Sequence, residues 1–441
     1  MSNTMGRVGV VGDGAGCFRL PNRYFVESVI RLSEVRQVVA SCDIFDECGA
    51  RLLNKGEQVS RAHQTAFLQP RLRQPLESCL LVVGGESLER IIGDCLEMMR
   101  HNPALKALGG TSESLLALRG MSQMPLHGEL QLLLTLSRLC NRRHYEKSLG
   151  AMLICAGLAH SAGLDDDDTD MLIISALVHD IGEIYIDPDY LGDTRELWPD
   201  EWKHMAAHPQ IGHAFIGEFM RFPTAVAECV LQHHERGGGG GYPFQLAAAE
   251  ISTLSGLLGV ADTVAAMLVR GDCGLEPGLC KRIELALTLV QGEFPPPAVS
   301  FITSALAPLN NDTPPAVSGR YADRVLPTLQ QLRTARRIAE ALAGSETSER
   351  VAGASRTALE TILLIDKSLR GIGAYDLSHV DVLERTPEVM GEVCFLLGEV
   401  AWRLRHLART IHLRVSQGGD AGELAQVAKL VAALSEPVFV R

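Results

Sequence analysis

The sequence predicts a mainly α-helical protein in three parts: a small mixed α/β domain over residues 1–125, a central all-α domain over 126–308, and a C-terminal helical bundle over 320–441, reached through a linker at 309–319. Three observations carry this division. Short β-prone runs broken by turn residues start near residue 36. From about 126 onward apolar residues recur at intervals of three and four, the period of a helix face. The segment PLNNDTPPAVSG at 308–319 is rich in turn formers and lacks any apolar period, which marks a boundary.

In the first part, VRQVVASCDIFDECGARLLNKGEQVS reads as short strands, with Gly49 and Gly56 where the backbone reverses. The opening GVVGDGAG looks like a phosphate loop, but Cys17 stands where the last glycine of G-x-G-x-x-G belongs, so the segment is read as irregular. In the second part, LQLLLTLSRLC and MLIISALVHD carry the helical period. The run Asp165 to Asp168, followed by Thr169 and Asp170, directly precedes one of these helices. Carboxylates there favour the positive end of the helix dipole, so the run is read as a cap rather than a metal site. The third part holds the long patterns RVLPTLQQLRTARRIAEALAG and EVMGEVCFLLGEVAWRLRHLARTIHLRV, which suit a bundle. Arg403, Arg405, Arg409 and Arg414 give its last long helix a basic side, read as a solvated face.

Composition bounds the function. The chain has 441 residues, 46% of them hydrophobic and 21% charged, which is ordinary globular usage and excludes wholesale disorder. Its 41 Lys+Arg against 53 Asp+Glu leave a net charge of -12. A protein that coats a nucleic acid polymer needs clustered Lys/Arg to displace counterions, so that class is excluded. A small phosphate-bearing ligand is compatible if metal supplies the positive charge. Neither a signal-peptide pattern nor an apolar run of membrane-span length of about 18 residues is present, so a cytoplasmic protein is expected. The 11 cysteines are scattered with no C-x-x-C pair, which fits reduced thiols.

The chemistry concentrates between 179 and 262. LVHDIGE contributes His179 and Asp180, HMAAHPQIG contributes His208, VLQHHERGGGGGYP contributes His233 and His234, and GVADTVAAM contributes Asp262. A lone histidine on an apolar helix is usually a satisfied core residue. Six such groups each need a partner if buried, and a shared divalent metal centre meets all of those needs at once. Imidazoles and carboxylates without thiolate favour Fe or Mn, with one or two ions held. His179 and Asp180 project about 100° apart on a helix and can address different sides of one site. Two metals sharing a water suit phosphodiester hydrolysis, because they clamp both the attacking and the leaving oxygen.

The order H-D, H-P, H-H-E with G-Y-P, and V-A-D resembles the HD-GYP family, a branch of the HD-domain metal phosphohydrolases known for hydrolysing cyclic di-GMP in bacterial signal transduction. The resemblance covers about 126–308, including EFPPPAVSFI, and extends more weakly to DIFDECGARLLNKGEQVS upstream. It implies that His179, Asp180 and Asp262 serve mainly one metal, with Asp180 bridging to a second held by His208, His233 and His234. It also implies that Gly241, Tyr242 and Pro243 form a signature loop that contacts diguanylate cyclase (GGDEF) domains, with Glu235 in support. Homo-oligomerisation is compatible with this reading.

Three positions depart from the family pattern. The family's Y-x-x-H-S histidine is Lys147, its H-D-I-G-K lysine is Glu183, and the aspartate of its H-H-E-R-x-D-G loop is Gly238. A protonated ammonium cannot ligate a metal. Lys147 and Glu183 are therefore expected to pair with each other across the emptied position, with His144 as the alternative source of an imidazole. The five consecutive glycines of the loop predict mobility. Asp180 and Glu183 are the catalytic candidates. The resemblance thus implies a cyclic di-GMP phosphodiesterase with impaired turnover; the alternative is a catalytically degenerate module that binds a nucleotide or partner proteins.

Overall fold

The structure, a computed structural model, describes residues 17–69, 71–192, 197–269, 277–310, 320–345, 347–371 and 386–436. The GVVGDGAG opening and residues 311–319 of the expected linker lie outside them. Among the described residues the chain is mostly helical, as expected, and the few strands lie in the N-terminal part.

There, the helix Arg23–Val35 starts at Asn22, whose side chain accepts from the Tyr24 and Phe25 amides and so satisfies two otherwise orphaned donors. The strand Val38–Ala40 pairs antiparallel with Leu80–Val82 in the register Val38 to Val82, and Ile44–Phe45 pairs with Arg51–Leu53. Gly49 and Gly56 both hold positive φ, +90° and +79°, at the predicted reversals. The helices Leu88–His101, Pro103–Gly109 and Ser112–Met121 follow.

The central part is built on the helix Arg142–Ala162, which packs against Asp166–Val178 and Thr253–Leu268. Asp165 caps the second of these by accepting from the Asp168 amide, the role read for the acidic run. One hydrophobic core runs from Phe18 to Leu306 and is continuous across residue 125. Phe18 packs edge-on against Tyr185 and Phe215, Phe25 stacks on Tyr185, and Tyr24 donates to Asp187 at 2.8 Å. The N-terminal part therefore grips the segment that directly follows His179 and Asp180.

A second core joins the helices Tyr321–Ala343, Glu349–Gly371, Pro387–Ser416 and Ala421–Ser435 into the expected bundle. The basic side of Pro387–Ser416 is not a solvated face. Arg403 is buried, paired with Glu293 at 2.6 Å and donating to the Ala286 carbonyl, while Arg409 donates to the Leu197 carbonyl and Arg414 to Thr357. These guanidinium groups tie the bundle to the central part and within itself, which a local charge pattern cannot reveal. Buried cysteines such as Cys79, Cys95, Cys155 and Cys229 are free thiols. Among the described residues no helix is long and apolar enough to cross a membrane.

Candidate metal centre

Side chains from five segments converge at one end of the central helices. His179 follows the last turn of Asp166–Val178, and Asp180 opens the 3-10 turn Ile181–Tyr185. His208 begins the helix His208–Phe219, His233 closes Thr224–Gln232, and Asp262 lies inside Thr253–Leu268. Helix ends suit this purpose because the chain turns there and short side chains reach inward. Gly182 permits the close packing: a Cβ at that position would run into the His208 carbonyl and the Gly212 amide.

Three histidines are oriented alike. Nδ1 of His179 lies 2.8 Å from the Ala176 carbonyl, Nδ1 of His208 lies 2.8 Å from that of Met205, and Nδ1 of His233 lies 2.7 Å from that of Val230. A carbonyl can only accept, so each Nδ1 donates; the neutral rings of His208 and His233 present Nε2 lone pairs to the centre, whereas the Nε2 of His179 faces Asp180 and Asp262, which against burial raise its pKa to about 10. The Nε2 atoms of His208 and His233 face each other at 3.3 Å. Two lone pairs held that close repel each other unless a proton or a metal cation sits between them.

Asp180 stands at the middle. Its Oδ1 is 3.5 Å from His208 Nε2 and 3.7 Å from His233 Nε2, while its Oδ2 is 3.1 Å from His179 Nε2. The residue is 7% exposed; its Oδ1 has no hydrogen-bond partner, and the Lys147 ammonium lies 2.5 Å from its Oδ2. Asp180, His208, His233 and His234 bring one donor atom each within 4.8 Å of one another, and so do His179, His233 and Asp262. The unpartnered Oδ1 and the facing Nε2 atoms of His208 and His233 fit a divalent metal, and the all-N/O donor set is of the type that Fe or Mn takes.

Electrostatics agree with that chemistry. Burial lowers the pKa of His208 to about 4 and lowers those of His233 and His234, which keeps the rings neutral and able to ligate. Burial opposes the charge of Asp180, but His179 and Lys147 outweigh it and hold the carboxyl well below its ordinary value. Asp262 is held down in the same way, against burial, by Lys147 and His179.

The substituted positions behave differently from expectation. Lys147 does not form the expected ion pair with Glu183. Its Nζ inserts between the two aspartates, 2.5 Å from Asp180 Oδ2 and 2.9 Å from Asp262 Oδ1. Two carboxylates attract the ammonium more strongly than one, and they outweigh burial in raising the Lys147 pKa well above its ordinary value. Glu183 instead meets Nδ1 of His144. His144 and Lys147 are three residues apart on one helix, so both point at the site. That spacing was the signal available for His144.

The glycine loop is also better held than its composition predicts. Gly237 donates to the Glu293 carbonyl, Gly239 donates to that of Arg236, and Gly238 bridges to Ala247. Both carboxylate oxygens of Glu235 accept from the loop, Oε1 from the Phe244 amide at 2.6 Å and Oε2 from the Leu246 amide at 3.0 Å. Gly241, Tyr242 and Pro243 are buried, and Phe244 beside them is 50% exposed. Tyr242 stacks on His234 and meets Trp202 edge-on, with ring centroids 4.7 Å apart, while His406 and Leu413 of the bundle close over it. Trp202 and His406 had no signature in the sequence, since both reach the loop only through tertiary packing.

Residues 129–272 match the HD domain family. The cyclic di-GMP phosphodiesterase response regulator RpfG of Xanthomonas campestris is 35% identical over 141 residues, covering 30% of this chain and 37% of that protein. The 3'3'-cGAMP-specific phosphodiesterase 2 of Vibrio cholerae is 31% identical over 116 residues, covering 26% of this chain and 22% of that protein. The cyclic di-GMP phosphodiesterase PA4108 of Pseudomonas aeruginosa is 31% identical over 123 residues, covering 28% and 30%. The chain thus spans well under half the length of each of these relatives.

Proposed function

We propose, from the premise that the central third of this chain is an HD domain of the HD-GYP branch, that it is a cytoplasmic signalling phosphodiesterase that hydrolyses a cyclic dinucleotide, with cyclic di-GMP as the favoured substrate. The observation that carries the reading is the convergence of Asp180, His208, His233 and His234, which bring one donor atom each within 4.8 Å of one another. A divalent metal, Fe or Mn, held there would supply charge against the phosphate and lower the pKa of a nearby water. His179 and Asp262 back this set from the adjoining side. The carbonyls of Ala176, Met205 and Val230 fix the ring orientations before any ligand arrives. Lys147 brings a fixed positive charge to the same floor, and Glu183 places a carboxylate where a substrate phosphate would approach, which limits turnover.

A second reading, a non-catalytic module acting through nucleotide or protein binding, is favoured by Lys147 between the two aspartates and by the burial of Tyr242. Contacts with GGDEF-domain proteins would then run through exposed Phe244 rather than the buried Gly241, Tyr242 and Pro243. The discriminating experiment is metal analysis of the purified full chain together with cyclic di-GMP turnover. The enzyme reading expects bound Fe or Mn and turnover abolished by Asp180→Ala. Metal-free wild type with no turnover, and activity appearing in Lys147→His/Glu183→Lys, would establish the second.

A further inference from the structure

We infer that Cys42 and Cys79 form a modification site, a dithiol that a peroxide oxidises reversibly to a disulfide, and that this cross-link bears on the turn Ile181–Tyr185. The strand Val38–Ala40 runs antiparallel to Leu80–Val82, with Ala40 opposite Leu80. The pairing continues one residue further, where the Ser41 amide donates to the Cys79 carbonyl at 2.8 Å. Paired chains lie about 4.8 Å apart and a disulfide spans Cα atoms about 4.4–6.8 Å apart, so these two segments run at bridging distance. The chain bends at residues 41 and 42, which releases Cys42 from the strict alternation of a strand. Both thiols reach one oxygen: Sγ of Cys42 lies 3.8 Å from Gln74 Oε1, and Sγ of Cys79 lies 3.7 Å from the same atom.

The two thiols differ in access. Cys42 is half-buried, whereas Cys79 is 1% exposed. Burial, joined by contact with the Cys42 thiol, pushes the Cys79 pKa up, which withholds Cys79 from direct attack on an oxidant. In the first step the Cys42 sulfur attacks one oxygen of hydrogen peroxide; the O–O bond breaks, water leaves, and Cys42 becomes a sulfenic acid. In the second, the Cys79 sulfur attacks the sulfenic sulfur; the S–S bond forms, the S–O bond breaks, and the departing hydroxide takes the Cys79 proton as a second water. Two electrons pass from the dithiol to the peroxide. Contact between the thiols makes the second step intramolecular, which offsets the weak reactivity of a buried thiol. A dithiol reductant reverses the change by exchange. Cys79 ends the short helix Leu76–Cys79, in which buried Glu77 accepts from the Tyr185 hydroxyl at 3.0 Å. Tyr185 closes the turn that Asp180 opens, so drawing Cys79 onto Cys42 pulls on a support of that turn.

The test treats reduced full-length protein with hydrogen peroxide, blocks the remaining thiols, and follows peptide mass mapping and amide hydrogen exchange. Wild type is expected to yield a peptide joining Cys42 to Cys79, to regain both thiols in dithiothreitol, and to show altered exchange over 181–186 in the oxidised form alone. Cys42→Ser and Cys79→Ser should each lose the cross-link and the exchange change, whereas Cys48→Ser, at an exposed cysteine, should keep both. No Cys42–Cys79 peptide in oxidised wild type, or Cys42 driven to sulfinic acid while Cys79 stays reduced, would overturn the inference. A cross-link that leaves exchange over 181–186 unchanged would overturn its connection to the turn.

Discussion

Tyr242 lies stacked on His234, with ring centroids 4.5 Å apart and planes inclined by 21°. The tyrosine is 3% exposed, and its amide donates to the His234 carbonyl at 3.1 Å, so ring and backbone both hold the histidine in place. The G-Y-P loop is in this structure a packing element of the site, clamped from outside by Trp202 and His406. Tyr242→Ala should cost about 3 kcal/mol of stability through the cavity it leaves. It should also weaken Mn²⁺ binding about tenfold by freeing His234. Tyr242→Phe keeps the stack and should resemble wild type in both respects. Urea unfolding and metal titration of the two variants check this, and equal Mn²⁺ affinity in Tyr242→Ala and wild type would refute the positioning role.

Lys147 neutralises a pair of buried carboxylates that otherwise repel. In metal-free protein, Lys147→Ala should therefore destabilise by about 3–5 kcal/mol, the usual consequence of stripping one partner from a buried ion pair. Added Mn²⁺ should restore much of that loss, because a ligand that binds only the folded state stabilises it by mass action. Thermal unfolding with and without Mn²⁺ tests both halves. A metal-induced rise in Tm no larger in the variant than in wild type would show that Lys147 does not stand in for a cation.

These two cases also show where sequence reading stops. The six residues His179, Asp180, His208, His233, His234 and Asp262 were legible because each sits at a helix end or beside glycines within a recognisable text, and the structure brings them together. The Asp165 cap and the reversals at Gly49 and Gly56 were legible because local geometry alone determines them. The partner of Lys147 was not. Spacing puts His144 and Lys147 on one face, but which carboxylate each reaches depends on how the helix Arg142–Ala162 is rotated against its neighbours. Arg403, Arg409 and Arg414 were misread for the same reason, since their partners lie far away in sequence.

Glu77 gives the fold a pH dependence outside the metal centre. Burial pushes its carboxyl from 4.5 to about 7, against the Tyr185 hydroxyl, which donates to it at 3.0 Å. A raised carboxyl pKa means that the folded state favours the proton. The resulting stability is fully present below about pH 4.5 and is lost as pH rises through about 7. The loss is on the order of 3 kcal/mol. Glu77→Gln keeps an oxygen for Tyr185 and removes the titration, so the variant should gain stability over wild type at pH 8 and match it at pH 4.5. Urea midpoints at the two pH values decide it; an unchanged difference between variant and wild type would exclude Glu77 as the source.

Arg403 is a buried ionic link between bundle and central domain. It is 5% exposed, and it reaches Glu293 and the Ala286 carbonyl from the helix that also covers Tyr242. The same Glu293 residue accepts from Gly237 through its backbone, so the link continues into the glycine loop. Arg403→Ala leaves Glu293 as an uncompensated, largely buried charge, at a cost of about 3–5 kcal/mol. Because the broken contact lies between two separate cores, the effect should fall on their association first. Unfolding should change from one transition to two, and limited proteolysis should release the bundle intact. Arg403→Met, which preserves the packing of the stem, should show the same uncoupling if the charge is responsible, and near wild-type behaviour if packing alone holds the helix in place.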